Sequence, residues 1–331
     1  MISFISMELN KGTNQGSFLN DKLVATLMAK YYGLHIAQVQ DSLSPAINDQ
    51  GETIYRNIPG KRSADFHGYK SYAANARYLF AKNSGIKVSY ERGFRLPMLD
   101  ELFGDGVSVA ANAKLSPENS DNYNAGFFGE WTTGKHRVNL ESNFYLRNAK
   151  DFIYSTPVSA RFVQYKNIGK VQIKGFDAEA SYTYGQLFHL TANFSYQNAV
   201  DNNQYADEAL GLVSITYKAR IPNMPWMYGN LDFGIGKDNL LGEKSRIEFN
   251  WHTQYTHWFY LSWSSLGAKD TKNIIPTQWV HSPAVTYSWE NGKYNVSFES
   301  FNLTNALAYD NFRLQKPGRS FQVKLRYFIM Q

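Results

Sequence analysis

The sequence predicts an all-β fold, a transmembrane antiparallel β-barrel of about twelve strands, on three observations. Apolar and polar residues alternate with period two over segments of ten residues or more, the joints between those segments are alternately short and long, and no window reaches the roughly 18 consecutive apolar residues of a spanning helix. Strict alternation marks strands that meet two unlike environments. Sandwich strands run about 5 to 6 residues, whereas segments of this length cross a bilayer at a steep tilt.

In chain order, strands are expected near 20–36, 68–82, 85–94, 120–132, 136–153, 160–184, 187–199, 226–237, 244–257, 275–289, 293–303 and 318–329. Residues 1–19 read as a partial strand and turn remnant, with 1–10 left open as the tail of a thirteenth strand, and 20–331 as barrel wall. "VNLESNFYLR" places Val138, Leu140, Phe144 and Leu146 opposite Asn139, Glu141, Asn143, Tyr145 and Arg147. "HLTANFSYQ" opposes Leu190, Ala192, Phe194 and Tyr196 to His189, Thr191, Asn193 and Ser195. The 160–184 segment is long enough to need a bulge, expected at "NIGK", 167–170, where glycine tolerates the kink.

Tight turns are expected at "KNSG", "TTGK", "YGQ" and "ENGK", and long connections near 37–67, 95–119, 199–225, 258–274 and 304–317. Short turns at one end and long loops at the other are the layout of an outer-membrane barrel. The last strand fixes which face is which. Phe321, Val323, Leu325, Tyr327 and Ile329 share one side and Gln322, Lys324 and Arg326 the other. Turned over, each cation would cost about 2–4 kcal/mol near the bilayer midplane, so the aromatic side meets lipid. Tyr90, Trp131, Tyr184, Trp251, Tyr255 and Trp289 suit interfacial girdles.

Composition narrows the chemistry. There is no cysteine, so disulfides, thiolate metal sites and a cysteine nucleophile are excluded. The formal charge of +6 is scattered, which argues against a nucleic-acid partner. The seven histidines show no H-x-x-x-H or H-E-x-x-H spacing, and the acidic loop with Asp201, Asp207 and Glu208 lacks calcium-loop spacing, so no metal and no cofactor is indicated. Ser195 and His189 share a face but stand six residues apart, roughly 20 Å along an extended strand; an enzyme is not expected. Ligand contacts, if carried by this chain, are expected in the long loops, at His257, Trp258, Tyr260 and Trp263 in "HWFYLSWSS" and at Trp226 in "IPNMPWMY". The competing reading of these aromatics is lipid anchoring.

Five elements then occur in a telling order: "ERGFRLPMLDELFGDG", "LSPENSDNYNAGFFGEW", "QYKNIGKVQIKGFDAEASYTY", "FNLTN" and "KPGRSFQVKLRYF". They resemble the C-terminal barrel portion of TonB-dependent outer-membrane receptors. Matching positions are Arg95, Pro97, Glu101, Leu102, Phe103, Gly104, Pro117, Glu118, Gly175, Asn302, Pro317, Gly318 and Arg319. The resemblance implies about twelve strands of a 22-strand barrel, with Phe321, Val323, Leu325, Tyr327 and Ile329 as the signal read by the barrel-assembly machinery. It implies an outer-membrane location in a Gram-negative bacterium, and a parent that imports a scarce nutrient such as an iron-siderophore, cobalamin or a glycan. The TonB energy-coupling complex would act through a plug domain not seen in this sequence. "MISFISMELNKGTNQGSF" does not read as a signal peptide, and the chain is therefore expected to be a fragment, not transport-competent alone. A self-contained twelve-strand passive pore and a soluble β-rich interaction protein are the alternatives.

Overall fold

The computed structural model describes residues 2–39, 42–47, 53–58, 62–158, 162–265, 274–310 and 314–328, with side chains described from Gly12 to Gly33 and from Gly68 onward apart from Pro157. Ile329 lies outside the described residues. Thirteen strands form one antiparallel sheet in chain order. They are β1 Ile2–Phe18, β2 Leu23–Val39, β3 Arg62–Ala81, β4 Ser84–Arg95, β5 Glu118–Thr133, β6 His136–Lys150 and β7 Val171–Tyr184. The sheet continues with β8 Phe188–Asp201, β9 Met227–Asp238, β10 Arg246–Thr256, β11 Gln278–Trp289, β12 Tyr294–Phe301 and β13 Ser320–Tyr327. β1 and β13 are its two edges and are not paired with each other, so the sheet is a curved wall and not a closed cylinder.

The expected count of about twelve is met by thirteen, the additional strand being Ile2–Phe18, which pairs with β2 along its whole length. The turn that follows holds Leu19, Asn20 and Asp21 at φ of 55°, 55° and 63°, a run for which Asn and Asp have the least penalty among non-glycine residues. At the next tight turn but one, Gly134 takes φ 60°, letting Thr133 face His136. One correction concerns 160–184, which is not one bulged strand. Val163–Asn167 joins Ile153–Pro157 and Val109–Ala110 in a separate small sheet, and β7 starts afresh at Val171. The cause is Asn203, whose Oδ1 accepts from the Lys170 amide at 2.9 Å while its Nδ2 donates to the Ile168 carbonyl at 2.7 Å, taking the place of ladder partners.

Register assigns every side chain a face. Trp131 stands opposite Val138, and Phe176 between Phe144 and Tyr196. Phe233 lies opposite Trp251 and Phe298 opposite Val323. All are on one side, and Leu325, 81 % exposed, continues it. The other side is polar. Asn75, Arg77, Lys87, Ser89, Asn124, Glu141, Asn143, Asp177, Glu179, Asn193 and Ser195, from six successive strands, line one cavity of about 780 Å³. Six neighbouring strands can share a cavity only if the sheet curves toward it, so the polar face is concave and the aromatic face convex. Ion pairs fill the concave side: Lys30 with Glu91 at 3.0 Å, Lys87 with Glu141, His252 with Asp232 at 2.6 Å, and Lys324 with Glu299 at 2.7 Å.

The convex side carries two aromatic belts. At the long-loop end Tyr72, Tyr90 and Tyr123 run ring to ring at 6.1 and 5.0 Å. At the tight-turn end Phe80, Phe127 and Trp131 follow at 6.1 and 6.3 Å, and Tyr287, Trp289 and Tyr294 at 5.5 and 5.3 Å. Tyr123 and Trp131 are eight residues apart on β5, about 26 Å of strand, which after tilting matches the apolar band of a barrel.

Candidate functional site

The described parts of the connections 96–117, 151–170 and 302–319 lie at the end of the wall opposite the tight turns, and most of the sequence motifs are their fastenings. Glu101 is buried. One of its oxygens pairs with Arg95 and the other accepts from the Met98 amide at 2.8 Å, closing the five-residue helix Leu99–Phe103. That helix places Leu102, fully buried, against Leu115 and Ile153, with Phe103 and Tyr165 alongside. Glu118, 1 % exposed, pairs with Arg147 and accepts from the Ile153 amide at 3.2 Å. Pro97 is fully buried and Pro117 half-buried. Each acid therefore binds a strand end to the loop that leaves it.

The same device recurs at the last loop. Asn302, buried, bonds both ways with the backbone of Ala306, at 2.8 Å each. Asn305 Oδ1 accepts from the Arg319 amide at 2.9 Å, and a Cβ at Gly318 would lie 2.6 Å from that oxygen. Arg319 reaches the Leu303 carbonyl, and Pro317 is exposed. Gly175 serves the wall itself. A Cβ there would strike the Tyr196 carbonyl and lie 2.7 Å from the Tyr145 hydroxyl, so glycine lets that ring lie across the strand. Gly104 closes the helix at φ 76°.

The candidate aromatic residues come together in part, on the convex face. Trp226 and His257 rings meet at 4.5 Å, Trp258 lies 6.2 Å from Trp226, and Tyr260 lies 5.2 Å from Trp258. The Trp226 Nε1–H donates to the Trp258 carbonyl at 2.9 Å. Their other neighbours, Tyr196 and Tyr255, are convex-side residues by register, and Tyr255 Oη stands 2.6 Å from His257 Nδ1. These four residues thus extend the outer aromatic belt at the loop end. Trp263 is separate. It packs on the cluster of Ala149, Val171, Ile173, Ala199 and Ile221, whose wall residues belong to the concave side, and lies 6.5 Å from Tyr154. Burial pushes the Tyr154 phenol up to about 12, and its hydroxyl donates to the Pro222 carbonyl at 3.0 Å.

The residues that do face the mouth of the concave side were not singled out in the sequence. Gln254, Thr256, Gln278 and Val280 of the wall, with Phe259, Tyr309 and Lys316 of the loops, line a cavity of about 350 Å³. The Tyr309 amide donates to Gln278 Oε1 at 2.8 Å, holding the loop over it. Their signal was the polar phase of alternation in "FNWHTQYT" and "QWVHSPAV", but the phase alone does not say which rung stands at the mouth. Amide, phenol and ammonium groups, with the Asp310 carboxylate beside them, can bind a polar small molecule by hydrogen bonds and charge. Among the described residues no three His, Asp or Glu side chains converge as a metal site.

Comparison with known proteins follows the geometry. The family model described as TonB dependent receptor-like, beta-barrel, matches residues 39–326. Among solved structures, the closed form of the ferric-catecholate import receptor Fiu from Escherichia coli K12 superposes with a TM-score of 0.68 at 12 % identity, covering 97 % of this chain and 44 % of that one. The copper transporter OprC gives 0.69 at 14 %, covering 98 % and 48 %. A double mutant of the Serratia marcescens hemophore receptor HasR gives 0.66 at 13 %, covering 97 % and 51 %. The chain spans about half the length of the receptors it matches.

Proposed function

The chain belongs to the TonB-dependent receptor β-barrel family, and from that premise we propose that it builds about half the wall of an outer-membrane receptor importing a scarce nutrient. The observation that carries this reading is the two-sided sheet, with a charged concave face spanning successive strands and two aromatic belts on the convex face. A soluble sandwich would bury its aromatic face. Here Leu325, Phe298, Val323 and Phe144 are more than half exposed, in rows that match lipid.

In this reading the concave side lines the interior of the complete barrel, and its unpaired edges are joined by the rest of the wall, since an open edge in hydrocarbon costs several kcal/mol per unmatched group. The same condition disfavours a passive pore made of this chain alone. Cargo enters between the loops and meets Gln254, Gln278, Tyr309 and Lys316, while TonB acts on a plug held within the wall. The structures of like fold compared above are a ferric-catecholate import receptor, a copper transporter and a hemophore receptor in complex with its hemophore and heme. An iron or copper complex is thus favoured over cobalamin or a glycan.

The test is uptake in the native Gram-negative host. Deleting the gene should abolish TonB-dependent uptake of one radiolabelled ferric chelate, and the paired change Gln278→Ala and Lys316→Ala should raise its apparent KM several-fold with the protein still in the outer membrane. Recovery of the protein in the soluble fraction, or unchanged uptake of every ferric chelate, cobalamin and glycan on deletion, would defeat the reading.

A further inference from the structure

We propose that two phenol–imidazole pairs on the convex side, Tyr255 with His257 and Tyr182 with His136, quench lipid peroxyl radicals, a one-electron activity that rests on the membrane placement given above. Tyr255 Oη stands 2.6 Å from His257 Nδ1 at the long-loop end. Tyr182 Oη on β7 stands 2.9 Å from His136 Nδ1 on β6 at the tight-turn end, and by register Tyr182 continues the row of Trp131 and Val138. Each aromatic belt therefore holds one hydroxyl aimed at a ring nitrogen, and each leaflet of the bilayer meets one such pair.

Headgroup level is where such radicals collect. Oxygen adds to a carbon radical within an acyl chain, and the polar peroxyl group that results is costly to keep in hydrocarbon, so it rises toward the interface. Tyr182 and Tyr255, both half-buried, present their rings there. Two other belt phenols show the contrast. Tyr90 donates at 2.9 Å to Asp121, a carboxylate already held by Arg92, and Tyr287 reaches the Leu241 carbonyl at 3.5 Å. An ion-paired carboxylate and a backbone carbonyl are both weaker proton acceptors than a neutral imidazole.

A neutral His257 with its own proton on Nε2 accepts the Tyr255 hydrogen bond at Nδ1. As one electron passes from the phenol to the peroxyl oxygen, the phenolic proton crosses the hydrogen bond to Nδ1, and the peroxide anion so formed takes the proton from Nε2. The products are a hydroperoxide, a phenoxyl radical and a neutral imidazole protonated on Nδ1. Moving the proton as the electron leaves avoids a phenol cation, which is the advantage of a base already in hydrogen-bond reach. A second peroxyl radical then joins the phenoxyl ring through a new carbon–oxygen bond, which pairs the last electron and ends the chain. Trp279, 4.4 Å from Tyr255, and Tyr184, 4.8 Å from His136, flank the two pairs with further electron-rich rings. The same step at Tyr182 uses His136.

The full chain, extracted from outer membranes in mild detergent, would be placed in vesicles of polyunsaturated phosphatidylcholine, with peroxidation started by a thermal azo initiator and followed as conjugated diene. Wild-type protein should impose a lag in proportion to its amount. Y182F with Y255F should shorten that lag several-fold, and H136F with H257F, which keeps every phenol, should do the same by slowing the transfer. Y90F with Y287F, which removes belt phenols that lack an imidazole, should leave the lag nearly unchanged. Peptide mapping of the wild-type protein needs no variant: peroxyl adducts should appear on Tyr182 and Tyr255 before Tyr90 and Tyr287. An unchanged lag in Y182F with Y255F, an equal loss in Y90F with Y287F, or adducts spread evenly over these tyrosines overturns the activity. If a paired variant does not fold, the order of the adducts decides. Wild-type protein that does not float with the vesicles overturns the membrane placement and the activity with it, whereas protein that floats without imposing a lag overturns the activity alone.

Discussion

Glu118, the first residue of β5, is buried against Arg147 on the concave side of β6 while its second oxygen holds the amide of Ile153. One carboxylate therefore ties two neighbouring strands to the small sheet above them. Arg147 is about one-third exposed and partly screened, which lessens the cost of leaving it unmatched. Glu118→Gln should lower stability by about 2 kcal/mol, below the 3–5 kcal/mol of a fully enclosed pair, read as a shift in the urea midpoint of the reconstituted protein. An unchanged midpoint would show that the bracket is ornamental.

Gly175 and Tyr145 make a second close relationship. Gly175→Ala should cost about 1–3 kcal/mol through overpacking, because the added methyl meets both a side chain and the Tyr196 carbonyl. Adding Tyr145→Ala should recover only part of that loss, since the carbonyl stays in place. Full recovery in a double-mutant cycle would mean that the ring alone is responsible.

Ala192 and Asn193 are adjacent in sequence and opposite in environment. Arginine at 192 should cost about 2–4 kcal/mol near the bilayer midplane and sharply lower the amount of folded protein in outer membranes. Arginine at 193 enters the polar hollow and should leave that amount nearly unchanged. Equal losses at both sites would contradict the assignment of faces.

Asp105 accepts from the amides of Val107, Ser108 and Val109 at 2.7 to 2.8 Å, and these bonds hold its carboxyl well below the ordinary value of 3.8. A group with a lowered folded-state pKa contributes stability that is complete above its unfolded value and lost as pH falls through the folded one. Hydrogen exchange at these three amides should accordingly stay slow at pH 5 and accelerate only well below pH 3.8. In Asp105→Ala, exchange there should be fast at every pH. Protection already lost at pH 5 in the parent protein would refute the assignment.

The faces of the wall were legible in the sequence because the period of a strand is two and each rung reports its own side. Tyr90, Trp131, Tyr184, Trp251, Tyr255 and Trp289 all fall on the convex side by register. What was harder to read was whatever depends on a break in that period. The full extent of β1 was hidden by "NKGTNQG", whose polar and glycine residues blur the alternation although the backbone pairs throughout. The interruption at 168–170 is set by Asn203, more than thirty residues away. The loops were harder still. Trp226 and His257 stood in two separate stretches of the sequence, and their meeting follows from the way the loop after β8 brings Trp226 against Tyr196 and His257. Gln278 and Lys316 share a cavity only because the loop folds back so that the Tyr309 amide reaches the glutamine.

The fastenings at Glu101, Glu118, Asn302 and Asn305 all sit at the roots of the long connections. Tips can accordingly be lengthened, shortened or exchanged without retuning the scaffold beneath, in the way that interchangeable heads fit a common handle. Grafting a tip from a distant relative between such roots should redirect selectivity while leaving insertion into the bilayer intact.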